Sequence, residues 1–160
     1  MIEKTVYIGK QDFYDVIRSN GGIWTDSKER PILCVTKSLE HDSLYWAIPM
    51  GDLSHRKNEA QQRIHVYLAK DSTNIESCYY HLGTTNKQSL FFISDIVPIT
   101  DKYIERAYTS FGSPVIIKNK QVTVEIERKV GRILAYEKAN PNYFRQHITD
   151  LKKFLLSELI

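Results

Sequence analysis

The hydrophobic period of this chain changes once, and that change limits the folds open to it. Up to about residue 99 the apolar residues come in short, β-branched or alternating runs bounded by turn residues. From residue 122 onward they recur at helical spacing. Val122, Ile126, Val130, Ile133 and Leu134 share one helix face, and Ile148, Leu151, Leu155 and Leu159 repeat the pattern. Strands first and helices last describe an α+β fold, a small twisted β-barrel or sheet covered by helices. With 160 residues the chain is expected to be a single domain, 1–160. A chain of this length buries enough surface for a core without metal or disulfide staples.

The first segments are expected to be a strand at Lys4–Ile8 and a short helix at Asp12–Arg18, stopped by Ser19-Asn20-Gly21-Gly22. Pro31–Lys37 and Leu44–Pro49 read as a hairpin turned at His41-Asp42-Ser43. Met50–Gln62 reads as a polar loop. Arg63–Ala69 alternates and reads as a half-buried strand. Cys78–Leu82 and Ser89–Ile93 make a second hairpin, and Ile96–Ile99 one more short strand. Two helices are expected at about 121–138 and 141–159, the second starting from Asn140 as N-cap with Pro141 behind it.

Composition removes several classes of function. No apolar run approaches the length of a membrane span, and the first residues carry charges where a secretory signal is apolar. A cytoplasmic protein without membrane contact is expected. Cys34 and Cys78 both sit in apolar surroundings, as small buried hydrophobes do. Two cysteines and five scattered histidines do not supply a zinc or iron–sulfur site, so no metal or other cofactor is expected. Walker, dinucleotide-binding and nucleophile-elbow motifs are absent. Net charge is only +3, but residues 101–160 hold eleven Lys and Arg against seven Asp and Glu. Such a bias suits either a solvated surface or a polyanion such as RNA.

One stretch carries chemistry. After the strand ending at Pro49, the loop offers Ser54, His55, Arg56 and Lys57 in succession. RNA cleavage by the neighbouring 2′-OH needs a proton acceptor, a proton donor for the 5′ oxygen, and cations for the phosphorane. The nucleophile is already in the substrate. If the first hairpin pairs as expected, Arg30 and Pro49 lie at the same end of the ladder, which sets Arg30, and Lys28 just before it, beside this loop. A solubility loop with no chemistry would have much the same composition.

Taken together, these segments resemble the ToxN/AbiQ toxins of type III toxin–antitoxin systems, and most closely their CptN and TenpN relatives. The resemblance runs through the opening strand and helix, Arg30-Pro31-Ile32-Leu33-Cys34-Val35, Tyr45-Trp46-Ala47-Ile48-Pro49 with its loop, Phe92-Ile93-Ser94-Asp95-Ile96-Val97-Pro98-Ile99, and the C-terminal part from Ile116-Ile117-Lys118-Asn119-Lys120. The Arg-Pro start of a strand is also similar to the wider PemK/MazF nucleases. The resemblance implies a compact twisted SH3-like barrel with a short N-terminal helix and two C-terminal helices packed on it. It implies a metal-independent endoribonuclease that leaves a 2′,3′-cyclic phosphate and a 5′-hydroxyl. The partners implied are cellular RNA and a repeated antitoxin RNA, processed and then held in a closed toxin–RNA assembly, with no DNA. Ser54 takes the place of the family's serine, Arg56 or Lys57 that of its lysine, and Lys28 or Arg30 the strand-mouth cation. Leu53 stands where the family has threonine, the loop from Pro49 to Ser54 is longer, and His55 is additional.

Candidate RNA contacts are Lys57, Arg63 and His65, the last facing outward from the expected strand, and the C-terminal cations Lys118, Lys120, Arg128, Lys129 and Arg132. The helix that carries three of these commits its apolar face to the core, so its cations are expected to point away. A PemK-like nuclease held by a protein antitoxin, and a non-catalytic RNA-binding domain, are the alternatives.

Overall fold

The structure is a computed structural model that describes residues 1–24, 30–84 and 88–160. Its strands are β1 (Val6–Gly9), β2 (Pro31–Lys37), β3 (Tyr45–Asp52), β4 (Tyr80–Thr84), β5 (Gln88–Phe92), β6 (Val97–Ile99), β7 (Ile104–Ala107), β8 (Thr109–Ser110) and β9 (Ser113–Pro114). Its helices are α1 (Gln11–Ser19), α2 (Asn58–Leu68), α3 (Lys120–Ala139) and α4 (Ile148–Glu158).

The main sheet is antiparallel, in the order β4-β5-β3-β2-β1-β7, with β6 also pairing β3. Among the described residues it is an open sheet with β4 and β7 as edges, not the closed barrel expected. Alternation along the central strands buries both faces. Leu33, Val35, Trp46 and Ile48 pack against Val122, Ile126, Val130 and Ile133 of α3. Ile32, Cys34, Tyr45 and Ala47 pack with Phe13 and Ile17 of α1 and Leu151 and Leu155 of α4. Both cysteines are free and buried, and burial pushes the Cys34 thiol up to about 12. Trp24 and Tyr45 are also buried in this second layer.

The hairpin of β2 and β3 forms as expected, with Ile32 opposite Pro49. Three expectations fail. First, Met50–Gln62 is not a loop and Arg63–Ala69 is not a strand. β3 continues to Asp52, a 3-10 turn covers Leu53–His55, and α2 follows. Ile64 and Leu68, one helical turn apart, pack with Leu53, Leu90 and Phe92, while Val66 is left 61% exposed. A strand would have buried Val66 with them. Second, Asn140-Pro141 does not open the last helix. Asn140 closes α3, Pro141 lies just past it, and α4 starts at Ile148. Third, β7 and the β8–β9 hairpin arise where no element was expected.

Candidate active site

The site grows from the end of β3. Asp52 is the last strand residue and caps the 3-10 turn that follows. Its Oδ1 accepts hydrogen bonds from the Ser54 backbone N–H at 2.9 Å and from the Ser54 hydroxyl at 2.6 Å. Leu53 turns inward into the apolar cluster with Ile64, Leu90 and Phe92. With Leu53 anchored, Ser54 and His55 must face outward, and both are exposed. The Arg56 N–H donates to the Leu53 carbonyl at 3.1 Å, and Gln61 of α2 donates to the Arg56 carbonyl at 2.8 Å. The turn is therefore held at both ends.

The His55 Nε2 stands 3.9 Å from Asp52 Oδ2, with the imidazole 80% exposed and the carboxylate 18%. At this distance the two groups make no direct hydrogen bond. Both residues line a cleft of about 240 Å³, with Ser89, Tyr108 and Ser110 on its walls and Ile117 at its base. Ser110 of the β8–β9 hairpin thus lines the same cleft as the turn. A larger cleft, about 450 Å³, lies between Trp46 and the ends of α3 and α4. Its carboxylate, Glu137, is tied to the Asn142 N–H and the Thr149 hydroxyl, and its Lys152 to Glu40. Asp52 and His55 face the smaller one.

Two guanidinium groups flank the turn on one aromatic ring. The Arg30 Cζ lies 4.2 Å from the Phe92 ring centre and the Arg56 Cζ 4.8 Å. Arg30 also donates through Nε to the Met50 carbonyl at 3.3 Å. Gly51 makes this approach possible. A Cβ there would meet Phe92 Cε2 at 3.0 Å and Arg56 Nη2 at 3.3 Å. Burial, then repulsion from Arg56, pulls Arg30 down to about 10. It remains cationic at neutral pH, and two like charges share one ring. That is a field an anion relieves. Arg30 is only 7% exposed, whereas Arg56 is half-buried. Arg56 is therefore the more accessible of the two. Arg145, itself exposed, makes a bidentate pair with the buried Asp95, at 2.9 and 2.7 Å.

The structure brings together Ser54, His55, Arg56 and Arg30 from the sequence expectation. Lys28 lies outside the described residues. Lys57 is exposed at the N-terminus of α2, and Arg63 and His65 are exposed on that helix rather than on a strand. Lys118 and Lys120 are exposed just beyond Ile117. The α3 cations do not all point away from the core. Arg128 is exposed but bonds Glu125 of its own helix. Arg132 holds the Ser72 and Thr73 carbonyls of the α2–β4 connection. Lys129 is 7% exposed, with its ammonium on the Tyr80 carbonyl at 2.8 Å and 3.2 Å from His81 Nδ1. Burial, then Arg128, lowers its pKa. Asp52, Phe92, Tyr108 and Ser110 escaped the sequence reasoning. Only Asp52 carried a signal, the Asp-x-Ser spacing of a side-chain cap.

No protein-family model matches this sequence. No curated protein matches it either. Among solved structures, the chain is similar to the Mycobacterium tuberculosis toxin MazF-mt6, with a TM-score of 0.41 and 10% sequence identity over 82% of this chain and 96% of that one. A likeness at that score and identity carries no argument about what this chain does.

Proposed function

We propose that this protein is an endoribonuclease toxin that cleaves RNA without a metal ion, by attack of the 2′-OH on the adjacent phosphate. The products are a 2′,3′-cyclic phosphate and a 5′-hydroxyl. The observation that carries the proposal is the Asp52-capped turn, which presents His55 at a cleft, holds Ser54 next to it, and has Arg56 and Arg30 stacked on one ring beside it. His55 takes the 2′-OH proton and, as imidazolium, returns a proton to the leaving 5′ oxygen. Asp52 stabilises that imidazolium and holds Ser54, whose oxygen lone pairs remain to accept a hydrogen bond from another donor of the substrate. Arg56 bears on the charge of the phosphorane. Arg30 positions Arg56 through the shared ring and adds to the field.

The likeness of the sequence to ToxN/AbiQ toxins supports a type III system, in which a repeated antitoxin RNA is processed by the toxin and holds it in a closed assembly. Lys57, Arg63, His65, Lys118, Lys120 and Arg128 are exposed and available to RNA phosphates or bases.

The test is incubation of the purified chain with RNA in EDTA, with the product termini mapped. Cleavage is expected to proceed, with cyclic-phosphate and 5′-hydroxyl ends, and to be lost in His55→Ala. Cleavage that requires added magnesium, or products with 5′-phosphates, overturns the mechanism. RNA that co-purifies with the chain from its own operon, and whose removal releases activity, supports the RNA antitoxin. Inhibition by a protein encoded beside it overturns that part.

A further inference from the structure

We infer that Phe111, at the tip of the β8–β9 hairpin, is a stacking platform for an unpaired RNA base beside the cleft. The hairpin has a two-residue turn, Phe111-Gly112, with Thr109 opposite Pro114 and Ser110 opposite Ser113. Both turn residues have positive φ, 51° and 80°. Such a turn favours Asn-Gly, because asparagine and glycine accept the left-handed region most readily. Phenylalanine there is doubly unfavourable. Its backbone is strained, and its ring is fully exposed. No packing within the chain compensates for either cost.

The position gives the ring a use. Ser110, the preceding residue, lines the cleft with Asp52 and His55, as does Tyr108 two residues before it. The hairpin therefore carries the ring to the lip of the cleft. A protein interface needs a contiguous apolar patch. Phe111 instead has Thr109, Ser110 and Ser113 around it, and the exposed apolar residue next along the chain is Ile116. Lys118 and Lys120 follow, both exposed. An isolated aromatic face is what a single-stranded nucleic acid engages by stacking a base, with exposed cations available for its phosphates. A base held at the lip fixes which phosphate enters the cleft, so Phe111 is a specificity-determining residue.

This inference rests on the ribonuclease proposal, and the experiment separates the two. The protein is His55→Ala full chain, and the probe is a short fluorescein-labelled single-stranded RNA of mixed sequence, followed by anisotropy. Adding Phe111→Asn is expected to weaken binding by about 5- to 150-fold, the range of one lost base–aromatic stack. Phe111→Trp is expected to keep the affinity. Phe111→Asn is also expected to raise the thermal midpoint, because it relieves the turn, so the lost affinity cannot come from misfolding. In the His55-containing chain the same change is expected to alter the preferred cleavage positions. If the parent chain cleaves RNA but Phe111→Asn changes neither affinity nor cleavage pattern, this inference is overturned and the ribonuclease proposal stands. If the parent chain neither binds nor cleaves RNA, both fall. If Phe111→Asn releases a protein partner and leaves RNA binding intact, the ring is a protein contact and the inference is overturned.

Discussion

Asp52→Asn separates the two roles the structure gives one side chain. As a cap, Asp52 accepts from the Ser54 N–H and hydroxyl through Oδ1. An asparagine carbonyl oxygen can accept both, and asparagine caps about as well as aspartate. As a charge, Asp52 stands 3.9 Å from His55 Nε2. At that distance Coulomb's law gives about 1 kcal/mol in bulk water and about 4 at an effective dielectric constant of 20. The imidazole is 80% exposed, so solvent screening holds the value near the lower figure. About 1 kcal/mol corresponds to roughly a 5-fold slower step wherever the imidazole carries the proton. The assay is single-turnover cleavage of RNA by Asp52→Asn beside Asp52→Ala, with thermal unfolding of each. The asparagine variant is expected to unfold at nearly the parent temperature and cleave more slowly. The alanine variant is expected to lose activity and about 0.5–2 kcal/mol of stability, the cost of a missing cap. An asparagine variant as fast as the parent would refute the charge argument and leave Asp52 a cap alone.

Ser54→Ala should fold normally, since the Asp52–Ser54 backbone bond remains, and should cleave RNA at least about 100-fold more slowly; full activity in a turnover assay removes Ser54 from the mechanism. Lys118→Ala with Lys120→Ala should reduce the slope of log affinity against log salt by about 1.4 if each neutralises one phosphate. Lys129→Met should leave that slope unchanged, because the ammonium is buried on Tyr80; a reduced slope would mean that α3 opens to RNA. Burial, then Lys129, pulls His81 down to about 4, against about 6.5 in an unfolded chain. The unfolded state therefore binds the proton first as pH falls. The stability tied to neutral His81 is whole above about pH 6.5 and is lost as pH falls toward 4. His81→Gln should flatten thermal stability across that window, and an unchanged profile sinks the assignment.

The register of β2 and β3 was legible because apolar residues on both faces leave little room to slip. That register alone puts Arg30 next to the turn after β3. The α2 segment was not legible. Ile64, Val66 and Leu68 satisfy a period of two, and Ile64 and Leu68 satisfy a helical turn as well. The deciding fact, that Leu53, Leu90 and Phe92 wait on one side only, is tertiary. Lys129 was legible and misjudged. It lies three residues after Ile126 and four before Ile133, so it shares their buried face, and no argument about cations pointing outward applies to it. Phe92 sits in an apolar strand and looks like core by sequence. Its role as the ring beneath two arginines exists only once Gly51 brings the strands together.

The candidate site lies at the end of β3, where that strand changes partners. Residues Tyr45–Ala47 pair with β6, and Met50–Asp52 pair with β5, while β2 runs along the other side. Pro49 stands at the change, where a residue without an N–H disturbs the ladder least. Up to Pro49 the strand is buried on both faces, and from Met50 it is half-exposed. The last three residues are therefore held by strand pairing but no longer covered by helices. Gly51 turns to Phe92 and the arginines, and Asp52 turns to the cleft. Directly beyond them, Leu53 and α2 re-enter an apolar cluster, which fixes the far end of the turn. A polar segment between two buried anchors can hold an imidazole, a hydroxyl and a guanidinium in fixed relation without a metal to organise them. The same composition on a free loop would lose that geometry to conformational entropy.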